Sequence, residues 1–576
     1  MLIFTRIVSC AFAAAALAAC ATAPRQGTVT GDYLAGRLAE GVNDVQAAAN
    51  AYGAAVKAGP ADEELLRDAF FYHLAAGEIE ASLPYARRLA SVDSPDALAL
   101  ITLAVVDIKR HEYGAARKYL EGDFTEPYAK TIAFLLDAWA IYAASGADAG
   151  LAALDAGGPD VFQGFVPLFK ALMLETKGEI TGARQAHELS IYSYGGPVGR
   201  EAYGAFLERS GDVSAAREFY ALLDRDPGPS RRVAQAGLSR LDRGEISSAY
   251  AGITADKGGA IALYLFAGNM LEQSAEQRQR AADAGFNVGL PKYNFPLALA
   301  QMAIYLDPGS ADARRLVSGV MNVYGNYDSA RRALMPIPPS SPHYEQARIE
   351  IAAGLVEEGR EDDAAKILKE TVKLDPRADE ARLTYAGLLA RKHQYEGAIS
   401  VLSEVIDSLG DEPREDAWRY YLSRAASLME IDNWPAAERD LERAVEIAPE
   451  EATTLNYLGY SWAERGENLE RAFELIEKAV ELEPSSGAII DSLGWAHYQL
   501  GEYDQALGHL EQAAALEPAD PTITDHLGDV YWRLGREREA RFQWRRALEL
   551  KPVDRMREQV EGKLENGLPA PEASGD

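Results

Sequence analysis

Few residues in this chain could do chemistry, and their spacing withholds most of what chemistry needs. The eight histidines stand at 73, 111, 187, 343, 393, 497, 509 and 526. None forms His-Glu-x-x-His or another short metal-ligand spacing. The two cysteines, Cys10 and Cys20, both fall in the first twenty residues, so no zinc ribbon can form in the rest. His497, His509 and His526 are the only close histidine group. They occupy different points of the repeat described below, which points to packing or surface roles and not to a metal. No Gly-x-Gly-x-x-Gly, phosphate-binding loop or Gly-x-Ser-x-Gly elbow occurs, and "GYSWAERG" approaches the last only loosely. Asp and Glu total 88, too many for any pair to stand out as acid and base. The sequence predicts no catalytic constellation, no metal site and no cofactor, and hence no enzyme.

One residue stands apart: Cys20, at the end of "IVSCAFAAAALAAC". A single cation, Arg6, precedes this apolar run, which is too short to span a bilayer and has signal-peptide dimensions. Its last residues, Leu17-Ala18-Ala19-Cys20, resemble the lipobox of bacterial lipoproteins. The resemblance implies removal of residues 1–19 and acylation of Cys20 as the new N-terminus, followed by a polar tether to residue 32. Multiple acyl chains anchor firmly, at about 0.8 kcal/mol per buried CH₂. Ala21 in the next position implies, by the same resemblance, the outer membrane, with the protein facing the periplasm. The other reading is an ordinary secretory signal with an incidental cysteine. If the leader is removed, Cys10 goes with it and no disulfide is possible, so stability must come from a large core.

The charge balance limits the partners. Lys and Arg total 58 against 88 acidic residues, a net charge of −30. Nucleic-acid binding needs clustered cations and is not expected. A basic partner suits this surface better.

The elements that would position any site emerge from a repeat. "NYLGYSWAERGENLERAFELIEKAVELEP", "DSLGWAHYQLGEYDQALGHLEQAAALEP" and "DHLGDVYWRLGREREARFQWRRALELKP" align at a period of 34: Pro484, Pro518 and Pro552; Gly494 and Gly528; Gly501 and Gly535; Ala506 and Ala540; Ala513 and Ala547. That period marks a helical repeat array. Gly494 and Gly528 would lie where paired helices cross closely. Gly501 and Gly535 would end the first helix of each pair. The alanines would let the second helix approach its neighbours, with Leu510 and Trp544 filling the space between repeats. The prolines would stop the second helix. "AERGENLERA" carries one extra residue in its turn. The pattern resembles the tetratricopeptide repeat (TPR), which implies an all-α fold: a right-handed α-solenoid of helix-turn-helix units.

Weaker copies extend upstream. Gly178, Gly211 and Gly244 recur every 33 residues, whereas His393 and Asp432 stand where the turn glycine belongs. About thirteen or fourteen repeat-like units cover the chain. The layout expected is degenerate repeats over 33–250, an irregular repeat with an inserted loop over 251–300, a regular array over 301–556, and the end of the last helix with a disordered tail over 557–576. The insertion at 276–296 reads either as passive or as a docking or self-association element.

A repeat array offers a surface. Three residues before the crossing glycine, and one and four after it, should face a groove. In the last three repeats these are Asn456 and Tyr460; Asp491, Trp495 and Tyr498; and Asp525, Asp529 and Trp532. Aromatic anchors interleaved with carboxylates and an amide suit a peptide or protein ligand. The alternative is that the aromatics bury between repeats and the aspartates cap turns. The C-terminal signature is similar to that of long TPR lipoproteins of proteobacteria, including adaptors for carboxy-terminal processing proteases. That resemblance implies a scaffold binding other envelope proteins or peptides, delivering substrates to a periplasmic protease or organising peptidoglycan-remodelling enzymes. The competing reading is a structural component of a secretion, pilus or polysaccharide-export apparatus.

Overall fold

The computed structural model describes residues 28–569 apart from 159–162, 226–228, 287, 290, 376–377, 411–413 and 415. Cys20, with the leader and most of the expected tether, therefore lies outside the described residues. Among those residues the secondary structure comprises thirty α-helices, one 3₁₀ turn and no strand. None of the helices is long and apolar enough to cross a membrane. The chain divides into two compact units, Met1–Ala364 and Ala365–Asp576.

In the second unit, helices pair as the period requires: Ala452–Arg465 with Leu469–Leu482, Gly487–Gln499 with Tyr503–Leu516, and Pro521–Arg533 with Glu537–Glu549. Gly459, Gly494 and Gly528 mark the crossings. A Cβ on each would lie 2.7 Å from Ile476, 2.7 Å from Leu510 and 2.6 Å from Trp544, so nothing larger than hydrogen fits. Ala506, Ala513, Ala540 and Ala547 are fully buried, as are Leu510 and Trp544. The turn residues Gly501 and Gly535 are left-handed, with φ of 78° and 74°. His393 and Asp432 take the same backbone at φ 56° without being glycine. The turn geometry is thus kept where its preferred residue is lost, because the packing on either side dictates it. In the lengthened turn, Gly466 and Asn468 are both left-handed.

The end of this unit departs from expectation. Residues 554–566 are not the tail of the last repeat helix but a separate helix, Asp554–Asn566, folded back on Glu537–Glu549. Pro552 interrupts the chain between them. Val560 is fully buried, and Met556, Leu564 and Leu568 pack on the core of the final repeat. The helix covers the apolar side of the final repeat, the part that capping segments play in repeat arrays. Residues 570–576 of the expected tail lie outside the described residues.

The first described helix of the first unit begins at Val29, where Thr28 caps it by accepting from the Gly31 N–H at 3.1 Å; residues 29–32 are helix and not tether. Helix pairs follow, and Gly178, Gly211 and Gly244 are all left-handed. The second helix expected after Gly244 does not form, and residues 245–254 are irregular. Buried Glu208 draws this segment inward: it accepts from the Ser247 N–H at 2.7 Å, the Arg240 guanidinium at 2.7 Å and the Tyr220 hydroxyl at 2.7 Å.

The insertion also differs from expectation. Residues 276–283 continue a 29-residue helix, Ala255–Asp283, and the next helix is Asn294–Leu306. These two helices turn back onto the start of the unit. Ala255–Asp283 packs on Pro127–Ser145, while Asn294–Leu306 packs on Glu63–Ala75 and Ala97–Lys109. Gly258 makes the first contact possible, since a Cβ there would lie 2.1 Å from the ring of fully buried Trp139. Polar ties follow the same route: Asn43 Nδ2 donates to Pro291 O at 3.1 Å, and Lys109 Nζ donates to Leu306 O at 2.7 Å. The first helices of these pairs are thereby covered by the chain's own later segment.

Candidate protein-binding face of the C-terminal repeats

The eight groove positions lie on the helices Ala452–Arg465, Gly487–Gln499 and Pro521–Arg533, the first helix of each of the last three pairs. The structure divides them into two groups.

The aspartates and Trp532 are taken up by the chain itself. Asp491, Asp525 and Asp529 are 5%, 7% and 3% exposed, so their carboxylates do not meet solvent as open groove groups. Asp491 holds His526, with Nδ1 at 2.9 Å from Oδ2 and 3.1 Å from Oδ1. Burial disfavours the charged imidazole, but Asp491, Asp525 and Asp529 outweigh it and hold the His526 pKa above its usual value. Asp525 and Asp529 both bind Lys563 Nζ, each at 2.7 Å, and Asp529 Oδ1 also accepts from Trp544 Nε1 at 2.8 Å. Burial, then repulsion from Asp525, raises the Asp529 pKa to about 6 in spite of Lys563. Trp532 packs on Trp544 with ring centroids 5.4 Å apart, under Arg541 and against Gly567. The expectation that these residues form open groove is corrected here. His526 takes up Asp491, while the C-terminal helix supplies Asp525 and Asp529 with Lys563, the cation that a ligand would otherwise bring.

The second group, Asn456, Tyr460, Trp495 and Tyr498, remains partly exposed, as Trp532 does, but is not met by the C-terminal segment among the described residues. Trp495 lies between two rings, stacked on Tyr498 at 4.6 Å and 9°, and on His526 at 4.0 Å and 18°. Arg533 Nε donates to the Tyr498 hydroxyl at 3.0 Å. Burial raises the pKa values of Tyr460 and Tyr498, so both are neutral donors at physiological pH. Two polar atoms in this group are buried without a hydrogen-bond partner: Asn456 Oδ1, an acceptor, and Trp495 Nε1, a donor. Leaving such a group unpaired costs about 1–3 kcal/mol, which a ligand's complementary group recovers. The helices carrying them pack against each other.

Sequence reasoning located the face by its 34-residue period but missed its two organising residues. His526 was seen only as one of three histidines, and its pairing with Asp491 spans 35 positions. Lys563 stands one period after Asp529, but the helix carrying it was read as the end of the last repeat helix, so its reach back to Asp525 and Asp529 was not anticipated.

Fold and face together define an all-α solenoid of helix-turn-helix repeats with a capped C-terminus. Residues 355–417, 422–487 and 525–554 match family models described as tetratricopeptide repeat, and residues 494–535 match one described as TPR repeat. These stretches are tetratricopeptide repeats. No curated protein matches the chain. Among solved structures, the chain is similar to the APC/C hetero-tetramer Cut9–Hcn1 at 16% identity, covering 88% of this chain and 97% of that one, with a TM-score of 0.37. A tetratricopeptide repeat protein from Parabacteroides merdae is similar at 12% identity, with 44% and 98% covered and a TM-score of 0.37. MamA from Desulfovibrio magneticus RS-1 is similar at 24% identity, with 30% and 96% covered and a TM-score of 0.26.

Proposed function

We infer that this chain is a protein-binding scaffold of the bacterial cell envelope, without chemistry of its own. It is held at the outer membrane by acyl chains on Cys20 and faces the periplasm. The single observation that carries the binding role is the unpartnered pair on adjacent helices, Asn456 Oδ1 and Trp495 Nε1. A peptide main chain offers the complement of both, an N–H for the amide oxygen and a C=O for the indole. The half-buried rings of Tyr460, Trp495 and Tyr498 provide apolar anchorage beside them. The lipobox-like leader supports the location. The likeness of the C-terminal repeats to envelope adaptor lipoproteins supports delivery of substrates to a periplasmic protease, or the organising of peptidoglycan-remodelling enzymes.

The test compares the full chain as bait with Asn456→Ala and Trp495→Phe, the latter keeping the ring stack while deleting the N–H. Partners captured from envelope extracts by the wild type should fall at least tenfold with each variant, and mass spectrometry then reports whether they are proteases or peptidoglycan enzymes. Equal capture by all three baits would sink the face assignment. Separately, Cys20→Ser should abolish outer-membrane partitioning; a variant chain that still partitions there removes the lipid anchor.

A further inference from the structure

In the first unit, three side chains from segments far apart in sequence converge: Glu201 on the helix Pro197–Arg209, Asp312 in the first turn of Ala311–Val323, and His343 immediately before Tyr344–Glu357. One ligand atom from each lies within 4.8 Å of the other two. His343 is 7% exposed, and its Nε2 is buried without a hydrogen-bond partner, 3.4 Å from Asp312 Oδ1. The Tyr250 hydroxyl donates to Glu201 Oε2 at 3.0 Å, and Tyr250 reaches that position from a left-handed backbone at φ 60°, a strained conformation for a bulky side chain.

Among the described residues, no lysine or arginine pairs with this group. Arg240, whose charge reaches Glu201, is committed to Glu208 at 2.7 Å, and Arg315, whose charge reaches Tyr264, is committed to Glu350 at 2.9 Å. Tyr194, Tyr250 and Tyr264, which adjoin the carboxylates, are held neutral by burial. Two carboxylates and an imidazole nitrogen aimed at one point form a ligand set for a divalent cation.

We propose that Glu201, Asp312 and His343 form a zinc site that ties the helix Pro197–Arg209 to the segments beginning at Ala311 and Tyr344. One nitrogen and two carboxylate oxygens favour Zn²⁺ over Mg²⁺ or Ca²⁺, which take oxygen ligands. Metal–ligand bonds of about 2.0–2.2 Å place tetrahedral ligand atoms about 3.3–3.6 Å apart. The His343–Asp312 separation already has that value, and Glu201 closes by a side-chain adjustment. Tyr250 fixes the Glu201 carboxylate, as outer hydrogen bonds commonly orient metal ligands. The site is absent from local sequence spacing because its three ligands lie on three separate segments.

The test titrates Zn²⁺ alone into the metal-free full chain against a chromophoric chelator and follows thermal unfolding in parallel. Wild type should bind one equivalent tightly and melt at a temperature that rises with free Zn²⁺. Glu201→Gln and His343→Ala should each weaken that binding at least tenfold and abolish the rise, while His509→Ala, which alters a different histidine cluster, should leave both intact. X-ray absorption of the wild-type zinc complex should show a nitrogen and oxygen shell with one imidazole, a readout that does not require the variants to fold. Failure of wild type to bind one equivalent, or wild-type affinity in both ligand variants, overturns the proposal. So does a shell containing sulfur, which none of Glu201, Asp312 and His343 supplies.

Discussion

Lys563 Nζ lies 2.7 Å from Asp529 Oδ2, joining the last helix of the chain to the face of the final repeat. The same ammonium lies 2.7 Å from Asp525 Oδ2. One lysine thus sits between two buried carboxylates, offsetting one of their two charges and easing the repulsion between them. The helix Asp554–Asn566 is therefore held by charge as well as by Val560 and its apolar neighbours.

Lys563→Met should destabilise the C-terminal repeats by about 3 kcal/mol, the cost of leaving buried charges uncompensated. Backbone amides of 554–566 should lose hydrogen-exchange protection first. Adding Asp525→Asn and Asp529→Asn to the variant should recover part of the loss, because the repulsion is then gone. Unchanged exchange in Lys563→Met would show that the apolar contacts alone hold the cap.

The same cluster sets a pH dependence. The folded-state pKa of His526 is raised above 6.5, and that of Asp529 is raised from 3.8 to about 6. Both groups hold more protons folded than unfolded. Their contribution is therefore complete below the unfolded values and is lost as pH rises through the folded ones. For Asp529 the loss runs from pH 3.8 to about 6; for His526 it begins near 6.5 and continues upward. The stability of wild type relative to His526→Gln/Asp529→Asn should decline with rising pH over this span, by on the order of 2 kcal/mol. Urea unfolding of both proteins at pH 4, 6 and 8 measures it, and a difference that grows with pH contradicts the assignment.

Gly258 lets the helix Ala255–Asp283 lie against Trp139. Gly258→Val should cost at least 1–3 kcal/mol, roughly the range for overpacking a filled core. The ring is fully buried and has no room to swing away. The thermal midpoint should fall, and Trp139→Leu added to Gly258→Val should restore part of it. A single variant that melts like wild type would mean that this helix does not seat on Trp139.

Asp432 adopts φ 56° in the turn between Trp418–Glu430 and Trp434–Ile447. A left-handed backbone costs an ordinary L-residue about 1–2 kcal/mol. Asp432→Gly relieves that cost while adding unfolded-state entropy, so a net gain of about 0.5–1 kcal/mol is expected. Asp432→Val should move the midpoint the other way, because β-branching makes the left-handed region worse. Equal midpoints for the two variants would show that this turn is not under backbone strain.

How much was legible in the sequence follows from the range of the interactions. Periodic positions report contacts that recur within a repeat, so the crossing glycines, the buried alanines and the stopping prolines could all be read at a spacing of 34. Even Asp432 and His393 could be placed at turns, although only the backbone shows that they take a glycine's conformation there. The eight positions expected to face a groove all fall on the first helices of their pairs, but Asp491, Asp525 and Asp529 are buried there.

The sequence by itself determined the all-α repeat architecture and the face on which Asn456, Tyr460, Trp495 and Tyr498 stand, because both depend on contacts between residues at most one repeat apart. Tertiary structure alone decided what happens to that face and to the first unit. Lys563 covers Asp525 and Asp529, Asn294–Leu306 returns to Glu63–Ala75, and His343 meets Glu201. The last two join elements whose separation follows no period, and the first joins the final repeat to a helix whose own second partner is not among the described residues. Folding brings them together because apolar surface at the end of an array, and buried charge within it, are stabilised by whatever complementary segment the chain can reach.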